Sequence, residues 1–232
     1  MVDDEKGWGI RQDTFNLLES LRSYGSDEWF KLGDKDLATH IYRTELLRSG
    51  LSLSEVTTIL CQRLAVRSRI LPMTNDKFET WIKTHAGWMH FEEYYVRRGC
   101  IDGVKGVQFR GADSARPAPG VLEALRDADL VIVAPSNPIV SIGAILAVHD
   151  IRETLRRREK PVVAISPIVA GSIMKGPADK LMSHYAVQVS AKGVAKLYED
   201  FLDLLILDDV DKELIDDIAS TGIDAIATNT IM

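Results

Sequence analysis

L-V-I-V-A-P-S-N-P-I-V-S-I-G, residues 130–143, and V-V-A-I-S-P-I-V-A-G-S-I-M-K-G-P-A-D, residues 162–179, decide how this chain is read. Each begins as a short apolar strand, Leu130–Ala134 and Val162–Ser166, and each strand runs into a loop of small residues punctuated by Pro and Gly. A strand with no polar alternation is covered on both faces, as in a parallel sheet, and such sheets bind ligands beyond the carboxyl ends of their strands. The first loop offers Ser136, Asn137 and Ser141 as short hydrogen-bonding groups and Gly143 as a point of close backbone approach. The G-A-I-L-A-V run that follows predicts a helix whose free N–H groups suit phosphate. In the second loop Ser166 closes the strand, Gly171 and Gly176 surround Lys175, a cation suited to a diphosphate, and Asp179 is placed to accept from a base or ribose or to hold a metal through water. Lys175 and Ser136 are the candidates for positioning phosphate. The structural alternative is that Pro and Gly only turn the chain, Lys175 is solvated, and Asp179 caps the helix after it.

Working outward, the strands Leu204–Leu207 and Asp224–Thr228 continue the alternation with helices. The expected fold class is α/β, a doubly wound, mainly parallel, Rossmann-like three-layer sheet over residues 113–232, with an α+β cap subdomain over residues 1–112. In the cap, Asp13 predicts the N-cap of a first helix stopped at Gly25, Asp34 that of a second ending at Gly50, and Ser52 with Glu55 forms a capping box ahead of a third. Beyond Arg67, R-I-L-P-M, F-E-T-W-I-K-T and V-K-G-V-Q-F-R suggest strands, and H-F-E-E-Y-Y-V-R-R a short helix closed by Gly99.

The 232 residues, 46% hydrophobic and 27% charged with a net charge of −6, are those of an ordinary globular protein, and the acidic balance argues against binding to nucleic acid or to an anionic membrane surface. Cys61 and Cys100 are the two cysteines, with neither disulfide nor zinc spacing, which agrees with a cytoplasmic setting. His40, His85, His90, His149 and His184 show no metal-ligand spacing. P-loop, G-x-G-x-x-G, nucleophile-elbow and kinase motifs are all lacking. With no obvious nucleophile, the remaining chemistry is group transfer by positioning, in which a diphosphate is held and an acceptor hydroxyl aimed at phosphorus.

G-W-G-I-R-Q-D-T-F, residues 7–15, is the other unusual string: Trp8 is an aromatic surface between two glycines, Arg11 a fixed cation and Asp13 a carboxylate. Together they suit a flat heteroaromatic ligand with a polar edge; equally, Trp8 packs in a core, Arg11 forms an ion pair and Asp13 only caps.

The strings W-G-I-R-x-D-T-F, H-F-E-E-Y-Y-V, S-N-P-I-V-S-I-G, S-P-I-V-x-G, K-G-P-A-D and the final T-N-T-I-M resemble, nearly end to end, the 2-phospho-L-lactate transferase family. The resemblance implies transfer of a phospholactyl or phosphoenolpyruvyl group from a guanosine diphosphate-linked donor to the hydroxyl of the deazaflavin riboside 7,8-didemethyl-8-hydroxy-5-deazariboflavin. GMP is released, magnesium takes part, and the product leads to coenzyme F-420. It also implies a homodimer, with Arg11 as deazaflavin contact beside Trp8 and Asp13, and the two sheet-end loops around the donor. Family members begin with a strand and a G-G-T-G-G phosphate loop ahead of the tryptophan string, so the expectation is that this chain lacks the first βα unit and turns over poorly. The alternative is a non-enzymatic nucleotide-sugar-binding regulator of the related gluconeogenesis-factor family.

Overall fold

The computed structural model describes residues 9–173 and 176–231. The chain separates into two compact units, Met1–Pro72 and Met73–Met232. The antiparallel strands that follow Pro72 therefore group with the α/β layers, although the sequence reading drew its boundary at 112.

The first unit carries three helices among the described residues, α1 (Asn16–Ser23), α2 (Asp34–Arg48) and α3 (Leu53–Arg63). The capping box of α3 forms as expected: Glu55 N donates to Ser52 Oγ at 3.4 Å and Ser52 N to Glu55 Oε2 at 2.7 Å. The caps of α1 and α2 are exchanged relative to expectation. Asp34 serves α1, accepting from Asn16 N and Leu17 N at 3.1 Å each and from Thr14 Oγ1 at 2.6 Å. Asp13 serves α2, accepting from Lys35 N at 2.9 Å. The chain turns back on itself between the two, so each carboxylate meets the free N–H groups of the other helix rather than its own. Gly33 is required there, since a Cβ on it would lie 2.0 Å from Asp13 Oδ2. Those donors hold the Asp34 carboxyl below the usual aspartate range.

In the second unit β1 (Glu79–Thr84) pairs antiparallel with both β2 (Gly87–His90) and β3 (Gly106–Arg110). The R-I-L-P-M segment is not a strand, because Pro72 interrupts it and leaves the backbone without a ladder partner. A helix α4 (Val121–Asp127) leads into the parallel sheet, β4 (Val131–Val133), β5 (Val162–Ile165), β8 (Leu204–Asp208) and β9 (Asp224–Thr228), hydrogen-bonded in that order. Between these strands lie α5 (Gly143–Leu146), α6 (Ile151–Arg156), the hairpin β6 (Ile168–Val169) with β7 (Ser172–Ile173), α7 (Ala178–His184), α8 (Ala191–Leu197) and α9 (Ile215–Ala219). The α/β class expected from the alternation is what folds.

One face of the sheet is the heart of the core. Val162, Ala164, Leu205 and Leu207 are fully buried, and Leu155, Leu181, Met182, Val194 and Ile218 from α6 to α9 join the same cluster. Residues of the opposite parity are more open, with Ile132 60% and Ile226 48% exposed on the outer strands. The packing of α6 to α9 against that face accounts for the asymmetry. No helix among the described residues is long and apolar enough to cross a membrane. Leu205→Ala is expected to lower unfolding free energy in denaturant titration by about 2–5 kcal/mol, whereas Ile132→Ala is expected to cost less than about 1 kcal/mol.

Candidate functional site

At the carboxyl end of the parallel sheet a cavity of about 440 Å³ opens between the loops that follow β4, β5 and β9. Pro135, Ser136, Asn137 and Ser141 line it from the first loop, Ile165, Ser166, Pro167 and Val169 from the second, Gly176, Pro177 and Ala178 from the start of α7, and Thr230 and Ile231 from the chain beyond β9. Phe91 and Tyr95 complete the wall, their rings stacked 5.6 Å apart and inclined by only 4°.

The first loop becomes helical sooner than the sequence suggests, at Pro138 rather than Gly143, through a wide π-helical turn over Pro138–Ile142. Asn137 caps that turn, its Oδ1 accepting from Ile139 N at 3.0 Å and Val140 N at 3.1 Å. The N–H groups expected to be free for phosphate are thus already occupied by a carboxamide. What remains available is the other end of the same amide: Asn137 Nδ2 is buried and has no partner among the described residues. The hydroxyls of Ser136 and Ser141, both half-buried, likewise bond to no other group among the described residues. A buried donor left unpaired is costly unless a ligand or water accepts from it, so Asn137 Nδ2 marks where a polar ligand edge belongs, with the two serine hydroxyls on the same wall.

Ser166 lines the cavity with its hydroxyl already engaged, donating to Ile168 O at 2.9 Å and accepting from Ile168 N at 3.1 Å. The aromatic wall is fixed from behind: buried Tyr94 donates from its hydroxyl to Asp102 O at 3.1 Å, and Arg98 pairs with Asp102 at 2.6 Å. Burial pushes the Tyr94 hydroxyl up to about 12, so it stays a donor at physiological pH. Gly176, at φ +93°, brings its backbone against the Tyr95 ring, where a Cβ would sit 3.7 Å from Cε2.

Ser136, Asn137, Ser141, Ser166 and Gly176 are therefore brought together as the sequence predicted. Three other expected site residues are not part of this wall. Gly143 lies inside the helix, where a Cβ would meet Pro138 O at 3.0 Å, so the glycine serves helix packing. Gly171, at φ +70°, follows Ala170 at φ +50° in the tight turn between β6 and β7, a conformation that demands glycine irrespective of any ligand. Asp179 is exposed in the first turn of α7, where its charge suits the helix dipole. Arg11 and Asp13 belong to the first unit; Asp13 caps α2, and the Arg11 carbonyl accepts from Lys35 Nζ at 2.6 Å. Trp8 and Lys175 lie outside the described residues.

The sequence reading missed Phe91, Tyr95, Thr230 and Ile231. Phe91 and Tyr95 are four apart in a helical stretch and so share a face, and Thr230 follows a strand whose carboxyl end shares the sheet edge; both signals were legible. None of the described lining residues is ionised at neutral pH. Among the described residues no cluster of three or more His, Cys, Asp and Glu is placed to hold a metal. The described lining of this cavity offers magnesium no carboxylate ligand.

Residues 2–230 match the family described as 2-phospho-L-lactate transferase CofD. The chain is 40% identical to a phosphoenolpyruvate transferase of Kitasatospora aureofaciens, over all of this chain and 74% of that protein. It is 41% identical to a 2-phospho-L-lactate transferase of Methanosarcina mazei, over 91% of this chain and 69% of that protein. Crystal structures of a UPF0052 family protein from Bacillus halodurans share the fold at TM-scores of 0.58 and 0.55, at 16% identity, and the chain spans 66% and 65% of their length. Asn137→Ala, which removes the capping oxygen, is expected to cost about 1 kcal/mol in chemical denaturation.

Proposed function

The chain belongs to the 2-phospho-L-lactate transferase family and is a transferase of that type, and from that premise we propose that its sheet-end cavity holds the nucleoside part of a guanosine diphosphate-linked donor. The observation that carries the reading is the pairing of unoccupied donors, Asn137 Nδ2 with the Ser136 and Ser141 hydroxyls, with the parallel Phe91 and Tyr95 rings in one cavity whose described lining contains no Asp, Glu, Lys, Arg or His. A purine or ribose presents acceptors and a flat face to such a wall, whereas a diphosphate calls for cations. Lys175 is the proposed partner of the donor's phosphates.

In the proposed reaction the acceptor hydroxyl of 7,8-didemethyl-8-hydroxy-5-deazariboflavin attacks the phosphorus that bears the phospholactyl or phosphoenolpyruvyl group. The new phosphorus–oxygen bond forms as the anhydride bond to GMP breaks, GMP leaves, and the hydroxyl proton passes to solvent. The chain's contribution is to hold the donor and exclude alternative orientations, worth more in such transfers than a reactive side chain. The product's use in coenzyme F-420 biosynthesis, magnesium as cofactor, Arg11 with Trp8 and Asp13 as acceptor contacts, a homodimer and a cytoplasmic location all belong to the same proposal. The likeness to UPF0052 structures is one of fold alone and gives no support to a nucleotide-sugar-binding regulator.

Isothermal calorimetry with GDP tests the reading. Ser136→Ala and Asn137→Asp are each expected to weaken GDP by roughly three- to tenfold, with deazaflavin riboside affinity unchanged. Unaltered GDP affinity in both variants, with deazaflavin riboside binding lost instead, would place the acceptor in this cavity and overturn the assignment.

A further inference from the structure

Resting on that reading of the cavity, we propose that Asp208 and Asp211 are positioning residues for the bound ligand, each fastening a different rim segment. Both are buried, at 5% exposure, yet neither pairs with Lys or Arg among the described residues. Asp208 ends β8; its Oδ2 accepts from Thr230 N at 3.0 Å and Thr230 Oγ1 at 2.8 Å, and its Oδ1 from Val210 N at 3.2 Å. Asp211 lies three residues on, in the 3₁₀ turn Asp209–Leu214, and both its oxygens accept from Ala170 N, at 3.1 and 3.0 Å. Asp208 caps that turn from the extended end of β8, and Asp211 lies inside it.

The two anchored segments are the ones that close the cavity. Thr230 and Ile231 line it directly, and Ala170 turns the hairpin whose Val169 lines it. Backbone N–H groups bonded to a carboxylate are held more firmly than by a neutral acceptor, which gives a physical reason for burying charge here without a counter-ion. The Thr230 and Val210 amides keep the Asp208 carboxyl below the usual aspartate range, so the anchor stays ionised at neutral pH. One short acidic turn after β8 thereby sets the distance between the hairpin and the chain beyond β9, and with it the width of the ligand slot.

The test combines GDP calorimetry with amide hydrogen exchange on the full chain. Asp208→Asn and Thr230→Val are each expected to weaken GDP by about fivefold and to speed exchange only over residues 226–231. Thr230→Ser, which restores the hydroxyl, should recover the parent affinity. Asp211→Ala should speed exchange only over residues 168–173 and weaken GDP to a similar degree. Parent-like GDP affinity in the Asp208 and Asp211 variants, or faster exchange spreading through β5 and β8, would overturn the proposal. If GDP binding is indifferent to the Ser136 and Asn137 changes, the reading of the cavity itself fails; sensitivity there, with none at Asp208 and Asp211, removes only their positioning role.

Discussion

Backbone amides stranded where a parallel sheet ends are the constraint around which this structure is built. Once the β ladder stops, each emerging loop carries N–H groups that are neither paired nor fully wet, and leaving them so is costly. The chain answers with side chains taken from the loops themselves: Asn137 after β4, Ser166 after β5, Asp208 and Asp211 after β8. The same residues that satisfy the backbone also shape the cavity, so the architecture of the rim and the architecture of the site are one problem solved once.

That economy explains the chemical character of the wall. Asn137 Oδ1 and the Ser166 hydroxyl are consumed internally, by Ile139, Val140 and Ile168, and what is left over are the Asn137 Nδ2 donor and the Ser136 and Ser141 hydroxyls beside two parallel rings. A wall whose described residues have spare donors and no charged side chain discriminates by hydrogen-bond pattern and shape rather than by charge attraction. It suits the recognition end of a nucleotide better than its phosphates, which is the part of the donor proposed to sit there.

How much of this was legible beforehand depended on range. The strands around Val131, Val162, Leu205 and Ile226 announced themselves by composition, and the loops after the first two by their Ser, Asn and Gly content, because these are local properties. The Ser52–Glu55 capping box was readable for the same reason. Failures occurred where the partner was distant in sequence: Asp34 and Asp13 trade helices, Asp211 reaches Ala170, and Asp208 reaches Thr230. Gly143 and Gly171 lie off the cavity wall for a different reason. A glycine needed by a packed helix or a left-handed turn looks identical, as a letter, to one needed by a ligand.

The crossed aspartates of the first unit have a kinetic meaning. Since α1 is finished by a carboxylate from the start of α2, and α2 by one from just ahead of α1, neither helix gains its terminal hydrogen bonds by winding alone. Nucleation of one is rewarded only when the short intervening loop closes, an event faster than assembly of the long-range strand pairing between β5 and β8. The two helix termini are thus completed together or not at all.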